Sequence, residues 1–144
     1  MRIAIRLVTH LGSATTTIGV SIALLLLGEH TLGLATALAN ALAHVPVHVL
    51  KRTLARPRPC DAHGRPLARI ALPDPFSFPS GHSAAAAALA GVITLHEPML
   101  GALLLPLAAL VAWSRVALRV HHLSDVVAGM ALGFAGAVTA WLLL

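Results

Sequence analysis

Long stretches without any charged side chain constrain this chain more than any other feature of its sequence. Residues 7–28 and 30–50 contain no Asp, Glu, Lys or Arg, and the same holds for residues 79–96, 98–114 and 126–144. A bilayer core about 30 Å thick requires roughly 20 helical residues to cross it. Lipid also requires every backbone group to be satisfied internally. The sequence therefore predicts about five transmembrane helices in an all-α, polytopic membrane helix bundle.

The composition excludes several other classes of protein. Of the 144 residues 58% are apolar and 10% are charged, whereas a soluble domain has roughly 45–50% and about 25%. A soluble domain of this length could not bury so much apolar surface, which argues against a soluble enzyme or a nucleic-acid-binding module. The length predicts one domain, residues 1–144. Cys60 is the single cysteine, so neither an intrachain disulfide nor a cysteine-based metal cluster is expected.

Residues 51–77 are rich in both basic residues and proline. Proline at this density prevents a long helix, so the segment is predicted to be a long irregular loop, and loops of this length are often functional. Asp61 and Asp74 are expected to balance its charge. With five spans, this loop, the amino terminus and the 115–125 connection lie on one face of the membrane. That face would carry all ten Lys and Arg residues.

The basic face brings together groups that suit a phosphate. Arginine guanidinium groups match phosphate oxygens in a bidentate fork. Backbone N–H groups at the start of the third span point outward at the positive end of a helix dipole, which favours an anion. A glycine there lets the backbone approach the anion closely. The predicted phosphate-binding residues are Lys51, Arg58, Ser80, Gly81 and Arg115.

Two further residues on this face suggest covalent chemistry. His121 and Asp125 are four positions apart, so a helical turn would place the carboxylate beside the imidazole. A carboxylate in that position holds one ring nitrogen as a donor and leaves the other free to attack. His44 and His48 are also one turn apart, but no third metal ligand accompanies them. They are expected to be polar packing groups near the site, and no metal site is predicted.

These residues fall into three motifs with fixed spacing. They are K-x6-RP from Lys51, PSGH ending at His82, and SR-x5-H-x3-D ending at Asp125. In this order and spacing they resemble the signature of the type 2 phosphatidic acid phosphatase (PAP2) superfamily, and in particular its small bacterial membrane lipid phosphatases. The match runs from Lys51 to Asp125, about half of the chain, and no fixed position departs from the pattern.

The resemblance implies a lipid phosphate or diphosphate phosphatase that acts without metal or cofactor through a phosphohistidine. His121 would be the nucleophile, Asp125 would orient it, and His82 would protonate the leaving oxygen and then activate water. The five phosphate-binding residues would hold the phosphoryl oxygens. The substrate would be a lipid within the bilayer, such as a polyprenyl diphosphate (undecaprenyl diphosphate for example), phosphatidate or phosphatidylglycerophosphate. The oligomeric state is not predicted.

Two alternatives remain open, together with the orientation in the membrane. An anion-binding transporter or channel would explain the charge but not His121 with Asp125, nor a proton donor at His82. A phosphotransferase or haloperoxidase-like member of the superfamily would share the anion site. The resemblance implies a site in the cell (inner) membrane, and many bacterial family members face the periplasm. The positive-inside rule favours a cytoplasmic site for this chain, and the charge distribution leans that way.

Overall fold

The computed structural model describes residues 2–72 and 74–144, so Pro73 of the proline-rich loop lies outside the described residues. Six helices account for most of the described chain, and its two extended pairings are isolated bridges within the loop. The helices are α1 (Arg2–His10), α2 (Ala14–Leu26), α3 (His30–Leu54), α4 (Gly81–His96), α5 (Pro98–Ala117) and α6 (Leu123–Leu143). The all-α prediction is confirmed.

Helix α4 lies at the centre of the bundle and packs against α2, α3, α5 and α6. Its buried side chains are mostly alanine, so neighbouring helices approach it closely, as small residues allow in membrane bundles. On α6, a Cβ added at Gly133 would overlap the Ala84 carbonyl oxygen and the Cβ of Ala87. A Cβ at Gly129 would overlap the carbonyl oxygen of Ser80, which precedes α4, and one at Gly136 would overlap the carbonyl oxygen of Ala39 on α3. The glycines of the last span are therefore helix-packing positions.

Large apolar side chains project outward from this interior of small residues. Among the most exposed are Leu26, Leu27, Met99, Leu103 and Leu142. A soluble monomer rarely exposes a contiguous apolar surface of this kind, whereas lipid accommodates it. The arrangement of small residues inside and large ones outside supports a bilayer as the surroundings of the bundle.

The number of spans differs from the sequence-based expectation. In the described part of the chain, α3, α5 and α6 are long and apolar enough to cross a membrane, and a fourth span results if α1 and α2 count as one. The first predicted span is wrong as a single helix, because α1 and α2 meet at 54° across residues 11–13. The third predicted span forms α4, which has 16 residues and is about 24 Å long, less than the hydrocarbon thickness.

The loop that joins α3 to α4 covers one end of the bundle. It starts later than predicted: α3 continues to Leu54, so Lys51 lies on its last turn. The helix then ends at Ala55, whose φ of 43° is left-handed. The loop returns through a hydrogen bond from the Ser77 N–H to the Arg56 carbonyl oxygen. The Arg6 guanidinium donates to the Arg69 carbonyl oxygen, so α1 lies at the same end as the loop.

Candidate active site

The amino terminus of α4 forms the floor of the candidate site. Ser80 is the N-cap, and its hydroxyl accepts hydrogen bonds from the Ser83 N–H at 3.4 Å and the Ser83 hydroxyl at 2.9 Å. Its own N–H donates to the carbonyl oxygen of Asp125. A Cβ added at Gly81 would meet only the Val47 side chain, at 3.8 Å. Unlike Gly133, Gly81 therefore faces open space rather than a neighbouring helix.

His121 lies between α5 and α6 and is almost completely buried. Its Nδ1 is 2.7 Å from the carbonyl oxygen of Ser77. A carbonyl oxygen can only accept, so Nδ1 carries the hydrogen and Nε2 is the free nitrogen. This unprotonated Nε2 accepts a long hydrogen bond, 3.5 Å, from the Nη1 of Arg58. Burial lowers the pKa of His121, and the charges of Arg115 and Arg58 lower it further, against the opposing effect of Asp125. The imidazole is therefore kept neutral near pH 7.

Asp125 is fully buried on the first turn of α6, and it does not hydrogen-bond to His121. The closest approach, from its Oδ2 to the His121 Nδ1, is 3.7 Å. Its oxygens accept instead from the backbone N–H of His122 at 2.7 Å and from the Arg56 Nη1 at 2.8 Å. The spacing of four residues correctly predicts their proximity. The direct hydrogen bond is absent because the α6 cap and Arg56 engage the carboxylate.

Two of the predicted phosphate-binding cations are paired with a carboxylate. The Lys51 Nζ lies 2.8 Å from the Oδ2 of Asp74, and the Arg58 Nη2 lies 3.2 Å from its Oδ1. The Arg58 Nε also donates to the Asp74 carbonyl oxygen. Partial burial raises the pKa of Asp74, but the hydrogen bond and charge of Lys51 and the charge of Arg58 outweigh it, so the pKa is lowered. An entering phosphate would compete with this carboxylate for both cations.

Arg115 differs from these two cations in its surroundings. It is almost completely buried on α5, and its Nη1 donates to the hydroxyl of Thr9 at 2.6 Å. Within residues 2–72 and 74–144, its Nε is buried without a hydrogen-bond partner, and its guanidinium forms no ion pair. Burying a charge without a partner is costly. A bound anion would supply the missing partner.

A cavity of about 220 Å³ opens at the amino terminus of α4. Lys51, Gly81 and His82 line it together with Asp74, and His82 lies within electrostatic range of Arg115 and His121. Of the predicted site residues, Lys51, Gly81 and His82 line this cavity. The other five lie at the same end of the bundle but outside its lining: Arg58, Ser80, Arg115, His121 and Asp125. His44 and His48 also line the cavity. The Nδ1 of each ring lies within hydrogen-bond distance of a backbone carbonyl oxygen one turn earlier in α3.

A second, larger cavity adjoins the first. It measures about 380 Å³, runs between α2 and α3, and shares Ala14 and His44 with the smaller cavity. Its walls are almost entirely apolar, with Ile18, Ile22 and Leu25 on the α2 side. An apolar groove that leads to a polar cavity lined by Lys51 and His82 suits a molecule with a hydrocarbon chain and an anionic head.

Sequence reasoning missed two residues that hold the site together, Arg56 and Ser77. Arg56 lies two positions before the motif residue Arg58, and nothing in its local sequence points to Asp125 as its partner. Ser77 contributes a backbone carbonyl oxygen, which any residue type could supply. The residues described here contain no cluster of three or more His, Cys, Asp or Glu that could hold a metal ion. Independence from metal stays a prediction.

Both the sequence and the structure of this chain are similar to those of known proteins. The sequence model of the PAP2 superfamily matches residues 31–144, and no curated protein matches the chain in sequence. The structure is similar to that of a PAP2-type phosphatidylglycerophosphate phosphatase from Bacillus subtilis, with a TM-score of 0.79 and 28% identity over 97% of this chain and 74% of that one. It is also similar to LpxE of Aquifex aeolicus, with a TM-score of 0.84 and 26% identity over 96% and 84% of the two chains.

The fold and these similarities define an integral membrane protein of a phosphatase class. The chain belongs to the PAP2 superfamily, because the family match covers most of its length.

Proposed function

We propose that the chain hydrolyses a phosphomonoester or diphosphate bond of a membrane lipid, without metal, through a phosphohistidine at His121. The observation that carries this proposal is the position of His121. Its unprotonated Nε2 lies 3.5 Å from the donor Nη1 of Arg58, while its Nδ1 donates to a backbone carbonyl oxygen. An imidazole with this tautomer is ready to attack a phosphorus atom bound by the surrounding cations. Phosphoryl transfer requires mainly positioning and electrostatic stabilisation, which a cationic pocket provides.

The reaction divides into two displacements. In the first, the Nε2 lone pair of His121 forms a bond to phosphorus as the bond to the leaving oxygen breaks, and His82 gives that oxygen a proton. In the second, water attacks phosphorus, its proton passes to His82, and the N–P bond returns its electron pair to Nε2. Phosphate is released and both histidines regain their starting states. Arg115, whose Nε has no partner among the described residues, would bind a phosphoryl oxygen throughout.

The apolar groove between α2 and α3 supports a lipid as the substrate. It joins the smaller cavity at Ala14 and His44, so a hydrocarbon chain in the groove would place its phosphate beside Lys51 and His82. The similar Bacillus subtilis protein is described as a phosphatidylglycerophosphate phosphatase. We therefore place phosphatidylglycerophosphate among the candidate substrates, with phosphatidate and polyprenyl diphosphates such as undecaprenyl diphosphate.

Phosphate release from these lipids by the purified protein in detergent tests the proposal. We expect release from at least one lipid, inhibition by vanadate, and no effect of EDTA. Activity that is lost in EDTA and restored by Mg²⁺ would contradict the metal-free mechanism. Absence of release, together with anion uptake by proteoliposomes, would identify a transporter instead. Halide oxidation with added vanadate and peroxide would identify the haloperoxidase-like alternative.

We further propose that the chain resides in the cell (inner) membrane with its site at the cytoplasmic face. The basis is the positive-inside rule. Lys51, Arg58 and Arg115 serve the site in this proposal, and the remaining Lys and Arg residues would still lie at the same end of the bundle. The described contact between Arg6 and the carbonyl oxygen of Arg69 supports this grouping.

A further inference from the structure

Arg56 contacts the buried carboxylate next to the candidate nucleophile, although it occupies a variable position of the first motif and none of the fixed ones. Its Nη1 donates to the Oδ1 of Asp125 at 2.8 Å and to the hydroxyl of Ser124 at 2.7 Å. The Asp125 side chain is fully buried, while that of Arg56 is 40% exposed. The guanidinium therefore reaches from the loop into the first turn of α6 and compensates a charge that water cannot reach.

The backbone of the same residue fixes the other neighbour of His121. The Arg56 carbonyl oxygen accepts from the Ser77 N–H at 2.8 Å. The hydroxyl of Ser77 reaches the Pro57 carbonyl oxygen at 2.9 Å. The Ser77 carbonyl oxygen is in turn the acceptor for the His121 Nδ1. Arg56 thus contacts, through separate groups, both the carboxylate and the peptide that lie against the imidazole.

We propose that Arg56 is a positioning residue for the reaction, which clamps the loop to Asp125 and so holds the imidazole of His121 in its attacking orientation. This inference rests on the proposed function for its kinetic consequence, but the clamp itself can be measured without turnover. In this arrangement the Asp125 carboxylate acts on His121 electrostatically, with its Oδ2 held 3.7 Å from the Nδ1 of the imidazole. Arg56 sets where that anion lies and how much of its charge remains uncompensated.

The sign of the effect follows from the charges around the two groups. His121 is faced by Arg58 from the loop, Arg115 from α5, Asp125 from α6 and His82 from α4. Asp125 is faced by Arg56 from the loop and by His121 and His122 from the segment before α6. Replacing Arg56 by a neutral residue removes a cation and frees an anion near the imidazole. Both changes favour the protonated imidazole, so the pKa of His121 should rise.

The kinetic test uses Arg56→Gln, Arg56→Lys and the matched control Arg52→Gln, which removes an exposed arginine from the end of α3. We expect Arg56→Gln to lower kcat by about 10- to 100-fold, because the imidazole loses its orientation, and to leave KM within about twofold. Arg56→Lys should recover part of kcat, since the charge remains. In an Asp125→Asn background, Arg56→Gln should cost much less, because residues that act through one contact are not additive.

The test that does not depend on turnover is an imidazole ¹⁵N NMR titration of the full chain in micelles, with His121 identified by comparison with His121→Ala. We expect a midpoint below the usual value in the wild type, a higher midpoint in Arg56→Gln and no change in Arg52→Gln. An unchanged midpoint in both Arg56 variants, or additive kinetics with Asp125→Asn, would overturn the inference. A wild type that releases no phosphate from any lipid would refute the proposed function, while the titration would still decide the role of Arg56.

Discussion

Around α4 the bundle is held together by alanine and glycine, whereas at the site end it is held together by charged side chains. In the bundle, a single Cβ at Gly133 would overlap α4. At the site, Gly81 has open space before it, and the contacts are ion pairs such as Lys51 with Asp74 and Arg56 with Asp125. The two regions therefore respond to different substitutions: the bundle to added volume, and the site to lost or added charge.

The largest expected effect concerns the proposed nucleophile. His121→Ala should lower phosphate release by at least about 10⁴-fold, as loss of a covalent catalyst does, while the bundle stays folded because the residue lies outside its helices. Phosphate release and circular dichroism measure the two outcomes. His63→Ala is the matched control, since His63 is an exposed histidine of the loop. Residual turnover above a few per cent in His121→Ala would remove this residue from the chemistry.

A pair of glycine substitutions separates the two regions directly. Gly133→Ala should destabilise the bundle by about 1–3 kcal/mol, because the new methyl group overlaps the backbone of α4. Gly81→Ala should leave the melting temperature unchanged and lower kcat/KM by about tenfold, since its methyl group would occupy the cavity where a phosphate must approach. Thermal melts and kinetics are measured on both variants, so that each variant is the control for the other. A Gly81→Ala variant that melts early but keeps its kcat/KM would show that this glycine also serves packing.

The sequence predicted the helices and the membership of the site better than it predicted the bends between helices. The uncharged stretches identify the helices because lipid leaves few other structures available, and the small residues of α6 predict close packing. The motif spacing brings His121, Asp125 and the phosphate-binding residues to one end of the bundle. The break of 54° between α1 and α2 was missed because the first span was predicted from its lack of charge. Gly12 and Ser13 lie at the break, and Ser13 caps α2 through its hydroxyl, a signal that the sequence does contain.

The contacts within the site were the least predictable part of the structure. Arg56 and Asp125 are far apart in sequence, so no local spacing pairs them, and a run of basic residues next to prolines reads as a solvated loop. The carbonyl oxygen of Ser77 has no side-chain signature at all. The sequence therefore indicates which groups take part, while the tertiary structure decides which acceptor each donor finds.

A smaller effect is expected from removing the charge of Asp74, the carboxylate that pairs with Lys51 and Arg58. Asp74→Asn should lower KM by about fivefold, roughly the contribution of one partly exposed ion pair, because phosphate would no longer compete with a carboxylate for Lys51 and Arg58. The lowered pKa of Asp74 means that this competition persists throughout the neutral range. Asp61→Asn is the control, since Asp61 pairs with Arg65 within the loop. A rise in KM in Asp74→Asn would show that the carboxylate positions the cations instead.

The pH dependence should follow the titration of the nucleophile. Only the neutral imidazole of His121 can attack, and burial together with Arg115 and Arg58 lowers its pKa. A lower pKa keeps the group neutral to lower pH, so the acid limb of kcat/KM should lie below about pH 6.5, the usual value for histidine. A pH–rate profile of the wild type measures this limb. An acid limb above pH 7 would mean that the imidazole is held in its protonated form.

The last prediction concerns the side of the membrane and expects no effect on activity. Cys60 is exposed and lies in the loop that covers the site, two residues after Arg58. Because the positive-inside rule places this basic end in the cytoplasm, a membrane-impermeant maleimide should leave Cys60 unlabelled in intact cells and label it after permeabilisation. The Cys60→Ser variant, expected to keep full activity, provides the background. Labelling in intact cells that disappears in Cys60→Ser would place the site outside and show that the basic residues serve an anionic substrate rather than orientation.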